Sequence, residues 1–475
     1  MERHNRIVAL DAGSGSVVMA VGRRDADGKL VLEDISSHPL AGITRGEITN
    51  RQQMTEGVQA LLAAVEQKLG LRVSDVYTGT SGRHVRFAGH DYFVFVGEGS
   101  DGEIRSEDVR ALHAGMNNVQ AEEGLRIMDR IPQKYVVDGR DVVKDPVGRF
   151  GRKLDATFGF VLGSATLIDR LEKSLLAMEI RSRKTFAAAI ASAEAVLLPE
   201  EREMGVAVID LGAGTTDLCV MHDNGVRFVR GIPFGAGDIN SDIHQMGLLE
   251  KYVEGLKKEF GQAMASQVDA DKLIAMPGRS PREKQEISKR NLATIIENRL
   301  REIIGFVMEE IADSGYAGKL RGGVVLTGGG SRLPGIDELF AEATGMEVRL
   351  ALPDARVAAE SLPLAQDPAH ATVIGLLLMA LEEESAHRSA PGTPSGEAPA
   401  GGVGTVSPKG GVFSRRNDPA GGGGKISHAP DPRDEEDDDD DGSGGRKKKR
   451  GLFGRLRKTL EDTIFVETLD GDEDL

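Results

Sequence analysis

At 475 residues the chain is long enough for several domains and a large buried core, while a net charge of -16 and a pI near 5.2 argue against bulk nucleic-acid binding. Its one cysteine, Cys219, excludes a disulfide framework, fits a reducing cytoplasm and reads as a small core residue. The start, residues 1–6, is charged and lacks a signal-type segment, and the longest apolar run, residues 373–381, is far below the ~20 residues that span a bilayer, so membrane contact is expected to be peripheral.

In chain order, residues 7–22 and 30–36 predict a meander of strands, and residues 49–69 predict a helix with Met54, Val58, Leu61, Leu62 and Val65 on one face. A strand follows at 75–80. The character then changes: a strand at 92–96, a helix from Ser106 with Glu107 and Asp108 in its first turn, and extended runs at 126–137 and 153–162 form an α+β insert. A second half opens at Val206 and again reads strand, turn, strand. Residues 246–318 read as mostly helical, with Leu292, Ile295, Ile296, Leu300, Ile303, Ile304, Val307 and Ile311 in one apolar stripe and Arg290 and Arg301 on the opposite face. From 385 to 445 the chain is rich in Gly, Pro and Ser, with an acidic run at 434–441. Too few apolar residues are present there to support a core, so a disordered linker is expected, spanning on the order of 40 Å as a coil.

Three glycine-hinged turns stand out against this background. They are Asp11-Ala12-Gly13-Ser14-Gly15, then Asp210-Leu211-Gly212-Ala213-Gly214-Thr215-Thr216-Asp217, then Thr327-Gly328-Gly329-Gly330-Ser331, and each directly follows a short apolar run. A buried strand ending in Asp-x-Gly turns sharply and aims backbone N–H groups at an anion. Carboxylates at Asp11 and Asp210 suit a magnesium ion held through its water shell beside phosphates. Thr215 and Thr216 offer hydroxyls, the triple glycine lets backbone lie flat against a base or ribose, and Ser331 reads as a helix N-cap.

These turns resemble those of the actin, Hsp70 and sugar-kinase superfamily of two-lobed nucleotide binders, with Asp11 to Ser16 in the first phosphate loop, Asp210 to Asp217 in the second, and Gly328 to Gly330 against the adenosine. Within it the chain resembles the FtsA family of bacterial cell-division proteins. The resemblance is carried by Gly42-Ile43-Thr44-Arg45-Gly46-Glu47-Ile48, Thr80-Ser81-Gly82-Arg83-His84-Val85, Ile232-Pro233-Phe234-Gly235-Ala236-Gly237 and the 292–311 helix, and it runs from about residue 6 to 381. It implies an actin-like α/β fold with duplicated lobes. The first lobe would take 1–85, 168–203 and 353–384, and the insert 86–167. The second lobe would take 204–245 and 319–352, with a helical subdomain at 246–318 that meets the tubulin-like ring protein FtsZ. It implies ATP and Mg2+ as ligands and places Lys257 on a helix flanking the adenosine. Two departures bear on turnover. Ser16 and Val17 stand where many relatives carry a Lys after the first turn, and Glu194 lacks the Glu-Pro setting of Hsp70. Nucleotide binding with at most slow hydrolysis is therefore expected.

The tail adds a separate signal. Residues 446–458 hold eight basic side chains and no acidic one. In a helix at 100° per residue, Leu452, Phe453, Leu456, Leu460 and Ile464 fall within an arc of about 120°, with Arg455 and Lys458 opposite. Such a helix, preceded by Lys447, Lys448 and Lys449, lies in an anionic lipid interface. It occupies 446–465, and an acidic tail, 466–475, follows. The expected protein is an ATP-binding adaptor that forms filaments with itself on the inner face of the cell membrane at the septum. It would bind FtsZ and later division proteins and no nucleic acid. A pilus-assembly adaptor, or a kinase or phosphatase of the same superfamily, is the alternative.

Overall fold

The computed structural model describes residues 6–97, 101–277 and 284–389, so the 390–475 segment, with its linker, basic helix and acidic tail, lies outside the described residues. In chain order the elements begin β1 (Ile7–Ala12), β2 (Ser16–Arg24), β3 (Leu30–Pro39), β4 (Ile43–Thr44), β5 (Glu47–Ile48), α1 (Arg51–Leu69), β6 (Asp75–Thr80), β7 (Arg86–Phe95), α2 (Ser106–Asn117), β8 (Leu125–Val137), β9 (Asp141–Val143), β10 (Lys153–Ser164), α3 (Ala165–Leu176), β11 (Arg181–Ala187), α4 (Ala188–Val196) and α5 (Pro199–Met204). They continue β12 (Val206–Leu211), β13 (Thr216–His222), β14 (Gly225–Ile232), α6 (Asp238–His244), α7 (Glu250–Phe260), β15 (Leu273–Pro277), β16 (Lys284–Ser288), α8 (Lys289–Asp313), β17 (Val324–Thr327), α9 (Ile336–Thr344), β18 (Val348–Leu350) and α10 (Ala371–Ser389).

Two sheets repeat one plan. The first runs β11-β6-β1-β2-β3; the second contains β18-β17-β12-β13-β14 in the matching order. In each, the two outer pairings are parallel and the next two are antiparallel. Register repeats as well: Asp11 faces Val18 across its hairpin and Asp210 faces Asp217. This is a duplicated α/β fold of the actin-like kind. β12 is buried along its whole length, as a central strand flanked by a parallel neighbour and covered on both faces must be.

Local chemistry sets the helix limits. α1 is capped by Asn50, whose side chain accepts from Gln53 N, and ends at Gly70 in the left-handed conformation. Its buried residues, Met54, Val58, Leu61 and Val65, pack with β1, β2 and α3 in one core. α8 buries the apolar stripe read from the sequence, Leu292 to Ile311, against the second sheet, except that Ile295 is only partly buried. The strand expected at 92–96 is longer and starts at Arg86. The 246–318 region also contains the β15–β16 hairpin, which its polar composition hid. Cys219 is buried in β13, and burial pushes its thiol up to about 12.

The insert has its own core, around Ile104, Leu112, Met116, Leu154, Phe158 and Phe160. The chain enters it from the first sheet, yet its strands extend the second. β7 pairs with β14 at Arg86 and Arg230, Gln133 Nε2 donates to Val226 O (2.9 Å), and Arg227 Nη1 donates to Gln133 O (2.8 Å).

Between the sheets, α10 packs on β1, β2 and β6, while α4 packs on β12, β13 and β14. The two helices cross so closely that a Cβ on Gly375 would overlap the carbonyl oxygen of Ala191. Among the described residues no single helix is long and apolar enough to cross a membrane.

Candidate functional site

The first two glycine turns are built alike. Gly13 N donates to Ser16 O (3.0 Å), and Gly212 N donates to Thr215 O (2.9 Å). They come from different sheets and nearly touch: a Cβ on Gly214 would lie 2.5 Å from Ser14 Oγ, and one on Gly15 would lie 3.0 Å from Ala213 Cβ. Gly15, Ser16 and Ala213 are exposed, so both turns line the same cleft. The third turn sits beside the second. Gly328 has φ +88°, and any side chain there would run into Asp210 Oδ1, so only glycine fits. Gly330 is buried against Leu211 and Ala236, whereas Gly329 is exposed with only Ala369 near its Cβ position.

Three carboxylates converge behind the turns. Asp210 and Asp217 are buried and Asp11 is partly covered. Burial, with the Asp210 charge second, raises Asp11 to about 7. Burial raises Asp217 to about 8; a hydrogen bond from Ser81 opposes this, and the Asp210 and Asp11 charges add to it. Burial also raises Asp210, against two hydroxyl hydrogen bonds. Negative charge crowded out of water is a site for a cation. Among the described residues no three His, Cys, Asp or Glu side chains come close enough to ligate a metal directly.

Two hydroxyls that the sequence reading did not single out, and a third, Ser81, that it quoted only within a resemblance motif, complete the network. Ser81, in the loop after β6, donates to Asp217 Oδ2 (2.6 Å) and lies 2.8 Å from Thr215 Oγ1, linking the first half to the second. Ser192 of α4 and Thr372 of α10 both donate to Asp210 Oδ2, at 2.5 and 3.0 Å. Ser192 and Thr372 are 180 positions apart, so no local signal joins them.

Several expected roles change. The Thr216 side chain is fully buried and donates to Phe234 O (2.8 Å), so it does not face the cleft, whereas Thr215 lies beside Ser81. Ser331 is not an N-cap: its hydroxyl donates to Gly328 O inside a short 3-10 turn, and Gly335 caps α9. Lys257 is buried, with Nζ donating to Ala236 O (2.8 Å) and paired with Glu254 (2.8 Å), so it braces the loop behind the triple glycine. Glu194 lies between Arg202 and Arg356, which makes it part of an ionic brace. Arg290 donates to Val268 O, and Arg301 pairs with Glu297 and Glu342, so neither guanidinium is a free charge. Leu452, Phe453, Leu456, Leu460 and Lys447 to Lys449 lie outside the described residues.

A family model described as cell division protein FtsA matches residues 207–375, and one described as the SHS2 domain inserted in FtsA matches residues 82–162. The cell division protein FtsA of Pseudomonas aeruginosa is 29% identical over 381 residues, covering 80% of this chain and 90% of its own. That of Escherichia coli K12 is 27% identical over 379 residues, covering 78% and 89%. The chain belongs to the FtsA family.

The insert bounded by β7 and β10 is thus the SHS2 domain of an FtsA, and the protein's role lies in cell division. A solved PilM-PilN type IV pilus biogenesis complex is similar at TM-score 0.54 and 16% identity, covering 79% of this chain and 98% of that one, and shares the fold.

Proposed function

We propose that this FtsA binds ATP with magnesium between its two sheets and, assembled as filaments on the inner face of the cell membrane, anchors the FtsZ ring there and recruits later division proteins. The observation that carries the nucleotide reading is the pair of facing Asp-x-Gly turns with three carboxylates behind them. Backbone N–H groups at Ser14 and Gly15 and at Ala213 and Gly214 would cradle the phosphates, with the Thr215 hydroxyl beside them. Asp11 and Asp210 would grip the hydrated ion, and Gly328 to Gly330 would lie against the adenosine. Bound magnesium supplies the positive charge that lets phosphates and carboxylates share one cleft. Glu194 is committed to two arginines, which agrees with at most slow hydrolysis.

For FtsZ, α8 of the 246–318 region and the neighbouring α6 frame a groove of about 420 Å³, lined by Asp242, Met246, Ile295, Asn298, Arg299 and Glu302. Its arginine, Arg299, is paired with Asp242 and Glu302, so Met246 and Ile295 are the contacts it offers a short FtsZ segment. Membrane attachment rests on the 446–465 segment alone. A basic residue near anionic lipid contributes about 1 kcal/mol, so filaments presenting many such helices would bind where single copies detach.

The test uses full-length protein. Calorimetry should detect ATP in the presence of magnesium, and Asp210→Ala should weaken it. No binding at millimolar nucleotide would refute the site. Flotation with anionic liposomes should carry FtsZ upward only when this protein is present, and a double change, Phe453→Asp with Leu456→Asp, should leave both at the bottom.

A further inference from the structure

The Asp210 carboxylate is held by hydroxyls from the two helices that cross between the sheets. Ser192 lies on α4, which packs on β12, β13 and β14, and Thr372 lies on α10, which packs on β1, β2 and β6. All three side chains are buried. Both hydroxyls take the same oxygen, Oδ2, and stand 3.0 Å from each other. Oδ1 lies against Gly328, the glycine that opens the third turn. One oxygen is therefore tied into the helix crossing, and its partner faces the third glycine turn. Gly375, one turn beyond Thr372, touches the Ala191 backbone, the residue before Ser192, so Thr372 sits where the helices are most tightly registered.

We propose that Ser192 and Thr372 are positioning residues that fix Asp210 for its hold on a hydrated divalent cation, one hydroxyl from each helix, so that the hold depends on the two sheets being docked. This rests on the nucleotide reading above. Thr372 moves with the first sheet and Asp210 belongs to the second. A rotation between the sheets separates donor from acceptor and frees the carboxylate to turn, and a bound cation resists that rotation. The structure thus couples metal binding to lobe closure through Thr372 of α10 as well as through Asp11 of the first sheet.

The experiment measures the affinity of full-length protein for a fluorescent ATP analogue, in magnesium and in EDTA. Thr372→Val keeps the shape and removes the donor. It should weaken binding about tenfold in magnesium, equivalent to about 1.4 kcal/mol, and leave EDTA binding unchanged or slightly tighter, since an unfixed carboxylate repels phosphate less. Thr372→Ser should restore the wild-type value, and Thr372→Val combined with Ser192→Ala should remove most of the magnesium-dependent gain. Equal losses in magnesium and EDTA would make the pair merely structural and overturn the proposal while leaving the nucleotide reading intact. A Thr372→Val protein that binds like wild type would also overturn it. Wild-type protein without affinity in either buffer would overturn the nucleotide reading, and the proposal with it.

Discussion

Asp217 is the group whose removal should most clearly separate stability from function. Its carboxylate is buried beside Asp210 and Asp11, and its proton is held up to about 8 from an ordinary value of 3.8, chiefly by burial. Below pH 4 both folded and unfolded chains keep that proton. Between about 4 and 8 the unfolded chain has lost it while the folded chain retains it, so unfolding releases a proton and stability falls as pH rises. Above pH 8 the full penalty stands, on the order of 5 kcal/mol for a shift of that size. Part is shared with Asp11, which is raised in the same direction to about 7. Asp217→Asn removes the charge but still accepts from Ser81 Oγ, now as a neutral hydrogen bond weaker by about 1 kcal/mol. The net gain should be a few kcal/mol at pH 8.5 and should shrink steadily towards pH 5. Urea denaturation in EDTA without nucleotide, at pH 5.5, 7 and 8.5, measures it. A variant destabilised equally at all three values would refute the electrostatic argument. The same variant should bind nucleotide more weakly in magnesium, because the strained charge is what attracts the cation.

Other consequences follow from particular contacts. Gly375→Ala forces α10 away from the Ala191 carbonyl, where neither backbone can yield cheaply. It should cost about 3 kcal/mol or more in chemical denaturation and weaken magnesium-dependent nucleotide binding by displacing Thr372. Gly329→Trp has room for its Cβ and an exposed backbone, so thermal stability should stay within about 1 kcal/mol of wild type while calorimetry shows ATP binding blocked. Ile295→Asp places a charge in the groove between α6 and α8. It should reduce co-sedimentation with FtsZ and leave ATP affinity unchanged; the reverse pattern would move the docking site elsewhere.

Much of this protein was legible locally. Two apolar runs ending in Asp-x-Gly and a third ending in Thr-Gly-Gly-Gly read as buried strands that turn sharply, and in this order they mark both halves of the fold. The α8 stripe and the α1 face follow from a 3.6-residue period, whereas their caps, Asn50 and Ser288, were not read from the sequence. Roles that depend on where a hydroxyl or charge points were not legible. Thr215 and Thr216 are neighbours, yet Thr215, in the turn before β13, meets Ser81, while Thr216, on the strand, bonds to Phe234 O in the core. Arg290, Arg301, Lys257 and Glu194 look like free charges in sequence and are each engaged by partners supplied by packing. The insert's union with the second sheet, and the meeting of Ser192 and Thr372 at Asp210, join segments far apart in the chain. A residue's type and spacing reveal what it can do, but the direction of its side chain is chosen by contacts that exist only after the two sheets have docked.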